Sequence, residues 1–266
     1  MSRTSGIEAL AGRRPTVLSP HYDDGVLSCG AVLAACADVG APGTVVTVFT
    51  GDPVPPLSEE ARNFHRRCGL PDHDPVGRRT VEDDLAMKAV GATPVRLGVP
   101  DALYRKDADG NPRYPRDAEM STATLQSEAD LVAYVARLLA DEPAVRDSEL
   151  VLAPLAIGNH IDHRITRAAA LLLNRDPDTI LWYEDVPYVL YPPQLREPVD
   201  ESHVDPRLCR LTPEQWQTKL QAIDCYASQR AILLGGDTTA LPKYLTMYAE
   251  GLGGGAPAER YWRLPG

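Results

Sequence analysis

The sequence has few cysteines, and they form no metal-binding or disulfide pattern. The five cysteines are scattered along the 266 residues, at Cys29, Cys36, Cys68, Cys209 and Cys225. Because none of them forms a CxxC pair, neither a zinc knuckle nor a disulfide framework is indicated. We therefore expect free thiols and a reducing compartment, the cytoplasm.

The sequence also lacks a basic excess and any long apolar run. Its formal net charge is −10, whereas binding to nucleic acid or to an anionic membrane requires a basic surface. No run approaches the ~20 apolar residues of a membrane-spanning helix. Residues 1–14 lack the apolar segment of a signal peptide. We expect a cytoplasmic protein that binds neither nucleic acid nor membranes.

Apolar runs alternate with stretches of helical spacing along most of the chain. The runs that predict buried strands are 15–19, 44–49, 94–97, 150–155 and 179–183. The stretches that predict helices are 26–39, 80–90, 125–139, 161–174 and 214–234. This alternation predicts an α/β fold, a Rossmann-like three-layer sandwich with a mostly parallel central sheet. In such a fold the active site lies at the C-terminal strand ends.

The chain is expected to form one domain over residues 1–266, with a core at about 14–234 and a C-terminal extension at 235–266. Residues 52–57, 100–124 and 187–213 are rich in proline or polar residues and predict loops. No GxGxxG motif follows the first strand, which argues against a dinucleotide-binding protein.

Polar residues directly follow three of the predicted strands. The segment 21–24 (HYDD) follows the first strand, 158–163 (GNHIDH) follows 150–155, and Glu184 and Asp185 follow 179–183. Since the carboxyl ends of parallel strands meet at one edge of the sheet, we expect these segments to lie close together. A histidine and adjacent carboxylates that face a His-x-x-His pair supply the ligands of a catalytic zinc site.

Several of these residues also have simpler interpretations. Asp24 could serve only as the N-cap of the helix that follows. Glu184 and Asp185 could hydrogen-bond behind the site or have no functional role. The histidines outside the strand ends lie in polar segments and are expected at the surface; these are His65, His73 and His203.

The tetrad His21-Tyr22-Asp23-Asp24 and the later His160-x-x-His163 resemble motifs of the PIG-L/LmbE-like family of zinc N-deacetylases. The family includes enzymes that deacetylate N-acetylglucosaminyl groups in glycolipid, mycothiol, bacillithiol and antibiotic biosynthesis. Its usual first motif is His-Pro-Asp-Asp-Glu, so this chain departs from it at two positions: Tyr22 replaces proline and Gly25 replaces glutamate. The resemblance extends over roughly residues 14–230.

The resemblance implies a role for each residue of these two motifs. His21, Asp24 and His163 would bind one Zn²⁺ per chain, which leaves a coordination position open. Asp23 would act as general base towards the attacking water. His160 would stabilise the oxyanion or act as the general acid.

Weaker similarities imply roles for further residues of the site. Asp162 would orient one of the imidazoles, as carboxylates behind metal ligands do. Arg79, in Arg79-x-x-Glu82, and Asp101, at the end of the third strand, are similar to substrate-binding residues of the family. Arg79 could instead form a surface ion pair, and Asp101 could be a turn residue.

The resemblance implies a hydrolase that removes an acetyl or other acyl group from a small glycosidic molecule that contains an amino sugar, or from a secondary-metabolite precursor. A metal-dependent phosphoesterase is an alternative, for which Glu184 and Asp185 would have to supply a second metal site. A non-catalytic metal- or sugar-binding protein of the same fold is another. The oligomeric state stays open, and a homo-oligomer is compatible with the sequence.

Overall fold

The computed structural model describes residues 13–191 and 205–264, and those ranges contain seven strands. The strands are β1 (Pro15–Ser19), β2 (Thr44–Thr47), β3 (Thr93–Arg96), β4 (Leu150–Pro154), β5 (Ile180–Tyr183), β6 (Asp205–Arg210) and β7 (Ala258–Arg263). They form one sheet in the order β3–β2–β1–β4–β5–β7–β6. The first five strands of this order are parallel, and β7 is antiparallel to both β5 and β6.

Helices flank the sheet in two groups. The helices are α1 (Asp24–Asp38), α2 (Glu59–Cys68), α3 (Pro75–Val90), α4 (Asp117–Thr122), α5 (Ala129–Asp141), α6 (Pro143–Arg146), α7 (Ile161–Leu172), α8 (Pro213–Asp224), α9 (Ala227–Arg230) and α10 (Ala240–Gly253). Short 3-10 turns lie at Ala102–Tyr104, Leu125–Glu128, Tyr188–Leu190 and Leu233–Gly236. Helices α1, α3 and α8 pack on one another, and α5 packs on α7.

The middle of the sheet forms the core. Every residue of β1 and of β4 is buried, as expected for central parallel strands that are covered on both faces. The predicted α/β fold with a mostly parallel sheet is therefore confirmed. Among the described residues, no helix is both long enough and apolar enough to cross a membrane.

The far edge of the sheet differs from the sequence-based expectation. The sequence predicts irregular structure over 187–213, but β6 occupies Asp205–Arg210, while residues 192–204 lie outside the described residues. Four of the six residues of β6 are exposed, because this strand lies at the edge of the sheet. No apolar run therefore marks it in the sequence. The predicted loop 100–124 is also wrong in part, since α4 lies within it.

The C-terminal quarter contributes directly to the sheet. The long helix predicted over 214–234 ends at Asp224 and is followed by the separate short helix α9. The segment 235–266, expected to be an extension of the core, contains α10 and β7. Because β7 lies between β5 and β6, this segment completes the sheet that carries the candidate site.

His65 is fully buried, so its predicted surface location is wrong. Its Nδ1 lies 2.7 Å from Asp72 Oδ1 and its Nε2 lies 2.8 Å from the Tyr104 hydroxyl. Both ring nitrogens thus have polar partners, which offsets the cost of burying an imidazole. His73 is exposed, as predicted, and His203 lies outside the described residues.

A buried ion pair joins two helices to the C-terminal strand. Lys219 Nζ of α8 lies 2.7 Å from Glu259 Oε1 of β7, and both side chains are at most 5% exposed. The Glu259 carboxylate also accepts hydrogen bonds of 3.1 Å from the backbone N–H groups of Ala31 and Val32 in α1. The Tyr261 hydroxyl donates to it as well. These contacts hold α1, α8 and β7 together.

Candidate active site

Three neighbouring parallel strands end at the same edge of the sheet and carry the candidate site. His21 and Asp24 follow β1, His160 and His163 follow β4, and Asp185 follows β5. Strand β4 lies between β1 and β5. The three polar segments that the sequence predicts to meet are therefore close together.

The turn after β1 directs the side chains of His21 and Asp24 towards this edge of the sheet. Ser19 Oγ donates to the carbonyl of His21 (2.5 Å) and accepts from the N–H of Gly25 (2.8 Å). Asp24 Oδ2 accepts from the backbone N–H of His21 (2.8 Å), so its carboxylate points back over the turn instead of capping α1. A Cβ at Gly25 would lie 3.0 Å from Val45 Cγ1, and the turn is therefore packed closely against β2.

The loop between β4 and α7 has an unusual backbone. Ala156, Gly158 and Asn159 have φ values of +64°, +89° and +62°. Non-glycine residues adopt such values at a cost, and they are enriched at functional sites. Gly158 also allows a close approach, since a Cβ there would lie 2.3 Å from the Tyr188 ring. The loop ends at His160, which is the N-cap of α7.

The predicted metal ligands lie within contact distance of one another. Asp24 Oδ2 is 3.1 Å from His21 Nδ1 and 3.3 Å from His163 Nε2. His21, His160 and His163 each also offer a ring nitrogen, and these nitrogens lie within 4.8 Å of one another. Two imidazole nitrogens and one carboxylate oxygen are typical ligands of a catalytic zinc ion, so the donor set fits this metal.

Asp185, whose role the sequence left open, contacts one of the predicted metal ligands. Its Oδ1 lies 2.7 Å from His163 Nδ1, and both side chains are almost fully buried. Such a carboxylate fixes the orientation of a ligating imidazole. Glu184 instead accepts hydrogen bonds from Arg260 Nε (2.8 Å) and Trp262 Nε1 (3.1 Å). The two acids thus have separate partners, which argues against the second metal site of a phosphoesterase.

Asp162 contacts the other predicted histidine ligand. Its fully buried carboxylate has Oδ2 at 3.1 Å from His21 Nε2, and the same oxygen accepts from the N–H of Ala102 (2.9 Å). Arg105 Nη1 donates to Oδ1 at 2.6 Å, a partner that the sequence did not indicate. His21, Asp101 and Asp162 form a second group whose potential ligand atoms lie within 4.8 Å of one another.

The charges of the cluster stabilise cations. Burial by itself raises the pKa of Asp24. His163 and His21 beside it together have the larger and opposite effect, and they hold this pKa well below its usual value. Burial lowers the pKa of His163, but Asp24 and Asp185 raise it to about 10. Burial, followed by the charge of Asp24, raises the pKa of Asp23 to about 6. Carboxylates that hold imidazolium ions in this way provide the negative potential that a bound cation requires.

Arg79 is buried beside the cluster. It is 5% exposed, so the alternative of a surface ion pair is wrong. Its Nη2 lies 3.7 Å from Asp23 Oδ1 and its Nη1 lies 3.7 Å from Asp101 Oδ2. Asp101 Oδ1 accepts from the N–H of Leu103 (2.9 Å), so this aspartate stabilises the local turn and also faces the site.

His160 differs from its neighbour His163 in its hydrogen bonding. Its Nδ1 accepts a hydrogen bond from the backbone N–H of Asp162 (3.2 Å). Burial is the largest influence on its pKa, which is lowered to about 4. A neutral imidazole whose Nδ1 accepts carries its proton on Nε2, and that nitrogen is then a hydrogen-bond donor.

A cavity of about 280 Å³ lies over these residues, and two of the predicted loops contribute part of its remaining wall. From loops 100–124 and 187–213 the lining residues are Leu103, Asp117, Met120, Pro187, Tyr188 and Tyr191. Sequence reasoning missed the contributions of α2 and of the segment after α9, which are Glu60, Phe64, Arg67, Ile232 and Leu233. No residue of the predicted loop 52–57 is among the described lining residues.

The fold and the histidine–aspartate cluster define an α/β protein with a candidate metal site at its strand ends. Residues 16–173 match the family described as PIG-L, GlcNAc-PI de-N-acetylase, and the chain belongs to this family. The family resemblance predicted from the sequence is thereby confirmed.

Two curated relatives are both named 2'-N-acetylparomamine deacetylase. The protein of Niallia circulans is 30% identical over 184 residues, which are 64% of this chain and 66% of the relative. The protein of Streptomyces fradiae is 34% identical over 188 residues, which are 68% of this chain and 60% of the relative. The matched regions thus span somewhat less than two thirds of the length of these relatives.

Solved structures match over nearly the whole chain. A deacetylase of the teicoplanin biosynthesis pathway has a TM-score of 0.82 and 32% identity, with 94% of this chain and 96% of that chain covered. A zinc-inhibited form of the teicoplanin deacetylase matches with the same TM-score and identity, over 94% and 97% of the two chains. A deacetylase of the A40926 pseudoaglycone has a TM-score of 0.78 and 33% identity, over 96% and 99%. Deacetylation in secondary metabolism is therefore the activity shared by these relatives, in agreement with the sequence-based prediction.

Proposed function

We propose that the protein is a zinc-dependent N-deacylase that removes an acetyl or other acyl group from an amino-sugar-containing small molecule. The observation that carries this proposal is the convergence of Asp24 Oδ2 on His21 Nδ1 (3.1 Å) and His163 Nε2 (3.3 Å). It occurs in a chain whose relatives are named deacetylases.

His21, Asp24 and His163 would hold one zinc ion per chain. When bound, zinc supplies the Lewis-acid chemistry that amide hydrolysis requires. Asp185 orients His163 and Asp162 orients His21, at 2.7 Å and 3.1 Å between the facing atoms. These two carboxylates keep the imidazoles in place for the metal.

Asp23 is the proposed general base. It lines the same cavity as His21 and Asp24, two of the proposed metal ligands. The base takes a proton from the attacking water and passes it to the leaving amine. Arg79, 3.7 Å from Asp23 Oδ1, keeps a positive charge beside this carboxylate.

His160 is the proposed donor to the developing oxyanion. Because its Nδ1 accepts from the N–H of Asp162 (3.2 Å), its proton is on Nε2. His160 lines the cavity. A neutral donor held in a buried site stabilises the negative charge that forms as the amide carbonyl is attacked.

Arg79 and Asp101, which line the cavity beside the candidate metal site, would bind substrate oxygens. An arginine can only donate hydrogen bonds and an aspartate can only accept them, so the pair suits the hydroxyl groups of a sugar. The substrate would be a small N-acylated molecule of glycosidic type. One zinc per chain and a cytoplasmic location remain predictions of this proposal.

The experiment is a screen of N-acylated amino sugars and glycosides for release of a free amine, with and without a chelator. We expect release that the chelator abolishes and added zinc restores, together with one zinc per purified chain. Two metals per chain with phosphoester cleavage would favour the phosphoesterase, and bound zinc with no turnover of any substrate would favour a binding protein.

Asp23→Asn is the test variant and Asp38→Asn is its matched control. Asp23 directly precedes α1, and Asp38 is the last residue of the same helix. Asp38 is exposed at the last residue of α1, far along the helix from the site. Asp23→Asn should lower turnover by at least about 100-fold and leave the zinc content unchanged. Asp38→Asn should change neither. Turnover by Asp23→Asn close to that of the wild type would contradict the assignment of the base.

A further inference from the structure

Arg79 is a buried cation whose hydrogen-bonding capacity is largely unused. Among residues 13–191 and 205–264, its nearest acidic oxygens, Asp23 Oδ1 and Asp101 Oδ2, are both 3.7 Å away. This exceeds the usual distance of about 2.7–3.2 Å for a hydrogen bond. Its Nε is buried without a partner. The guanidinium therefore needs some other contact to hold it at the cavity wall.

The Tyr22 ring provides that contact. The Arg79 Cζ atom lies over this ring, 5.1 Å from its centroid, which is within the range of a cation–π interaction. Tyr22 is 2% exposed and is not among the described residues that line the cavity. It therefore supports Arg79 from behind and has no direct access to a substrate.

The Tyr22 side chain is buried and has contacts at both of its ends. Its backbone belongs to the turn that holds His21 and Asp24, and its hydroxyl lies 3.0 Å from Thr80 Oγ1. Thr80 follows Arg79 directly in α3. The ring is thus tied to the helix that carries the arginine it supports.

A second arginine over the same ring has a different role. The Arg96 Cζ atom lies 5.7 Å from the Tyr22 centroid. Its Nη2, however, donates to Asp83 Oδ2 (2.5 Å) and to Asp84 Oδ1 (2.7 Å), so its charge is already paired. Of the two guanidinium groups over Tyr22, only that of Arg79 lines the cavity.

We propose that Tyr22 is a positioning residue, whose aromatic face holds the Arg79 guanidinium at the cavity wall between Asp23 and Asp101, ready to donate to a substrate oxygen. The proposal deepens the proposed function and rests on it only for the identity of that oxygen. A residue at position 22 thereby affects substrate binding without contacting the substrate.

The contact can be tested without a substrate. In protein labelled with ¹⁵N-arginine, the Nε–Hε signal of Arg79 is assigned by its loss in Arg79→Lys. We expect a ring-current shift of this signal in the wild type and in Tyr22→Phe, and its loss in Tyr22→Leu. An Arg79 signal at the same position in all three proteins would overturn the proposal, and so would a Tyr22→Phe signal that matches Tyr22→Leu.

Kinetics with methyl N-acetyl-β-D-glucosaminide as the probe test the effect on binding. Tyr22→Leu should raise KM about fivefold, the size expected for one cation–π contact, with kcat and zinc content nearly unchanged. In an Arg79→Met background the same change should have less than about a twofold effect, because contacts that act through one residue are not additive. An equal rise of KM in both backgrounds would overturn the proposal.

Tyr22→Phe and Thr80→Val are the matched controls. Each variant removes one partner of the 3.0 Å hydrogen bond between these side chains. The aromatic ring at position 22 is retained in both. Both should retain a KM close to that of the wild type, and a fivefold rise in either would assign the effect to the hydrogen bond instead. If the wild type releases no amine from the probe, the proposed function fails for that substrate, while the NMR result still decides whether Tyr22 holds Arg79.

Discussion

His160 and His163 lie three residues apart at the start of one helix, yet their Nδ1 atoms have different partners. His163 Nδ1 faces the carboxylate of Asp185 at 2.7 Å, whereas His160 Nδ1 accepts from the backbone N–H of Asp162 at 3.2 Å. A carboxylate behind an imidazole strengthens it as a metal ligand. A backbone donor instead leaves Nε2 protonated, which disfavours ligation. Replacement of His163 and replacement of His160 should therefore have different effects on zinc binding.

His163→Ala is expected to lose zinc, and His160→Ala is expected to keep it while losing most of its turnover. The reason is that only His163 has Asp24 and Asp185 at its two ring nitrogens. Metal analysis of the purified variants, together with amine release, is the measurement. Stoichiometric zinc in His163→Ala would refute its role as a ligand, and zinc loss in His160→Ala would make His160 a ligand.

Asp185→Asn is expected to weaken zinc binding by about 10–100-fold, because it removes the charge that orients His163. Competition with a chromophoric chelator measures this change. Glu184→Gln is the matched control, because Glu184 is next to Asp185 in sequence but contacts Arg260 and Trp262 and not the histidines. An equal loss of affinity in both variants would show that the effect is not specific to the contact with His163.

For the individual residues of the site, the sequence predicts which of them lie close together but not which side chains form contacts with each other. His21, Asp24 and His163 are recognisable because they follow apolar strands that end at one edge. Whether Glu184 or Asp185 faces His163 depends on the direction of the chain just after β5, and no local pattern specifies it. Arg105 was missed for a similar reason: its partner Asp162 is 57 residues away in sequence.

Helix α1 shows how an element couples the site to the rest of the fold. It begins at Asp24 in the site, and in its middle the N–H groups of Ala31 and Val32 donate to Glu259. Glu259 is in turn paired with Lys219 of α8. The sequence predicts α1 from its spacing, but it does not reveal that a buried carboxylate from the last strand contacts it.

Lys219→Met is expected to lower the free energy of unfolding by about 3 kcal/mol, because it leaves the Glu259 carboxylate buried without its cation. Urea denaturation measures the change. Lys88→Met, which alters an exposed lysine of α3, is the control and should change stability little. The double variant Lys219→Met/Glu259→Gln should be less destabilised than the sum of its single changes. If Lys219→Met is as stable as Lys88→Met, the pair does not contribute to stability.

Over the whole molecule, the parallel part of the sheet is predictable from sequence and the antiparallel part is not. Strands β1, β2 and β4 are apolar because helices cover both of their faces. Strand β6 is mostly exposed, and β7 mixes charged and aromatic residues, so neither produces an apolar run. Their pairing also depends on contacts between distant parts of the chain, which periodicity does not report.

A chain that ends at residue 234 is expected not to fold cooperatively. It would lack α10 and β7, and with them the buried side chains of Tyr261 and Trp262, which pair with β5. Near-UV circular dichroism and urea unfolding, compared with the full chain, are the measurements. Addition of residues 235–266 as a separate fragment should restore the native signal in part. A cooperative transition of the shortened chain would show that residues 1–234 are an independent core.

The hydrogen bonds from Ala31 and Val32 to Glu259 also make two amides of an early helix sensitive to the last strand. An amide exchanges its proton with deuterated solvent only when its hydrogen bond opens. Exchange at these two positions therefore requires that β7 separates from α1 and that the middle of α1 opens, while exchange in the first turn of α1 reports opening next to the site. In a deuterium-exchange time course, the first turn and the middle of α1 could be followed within a single peptide.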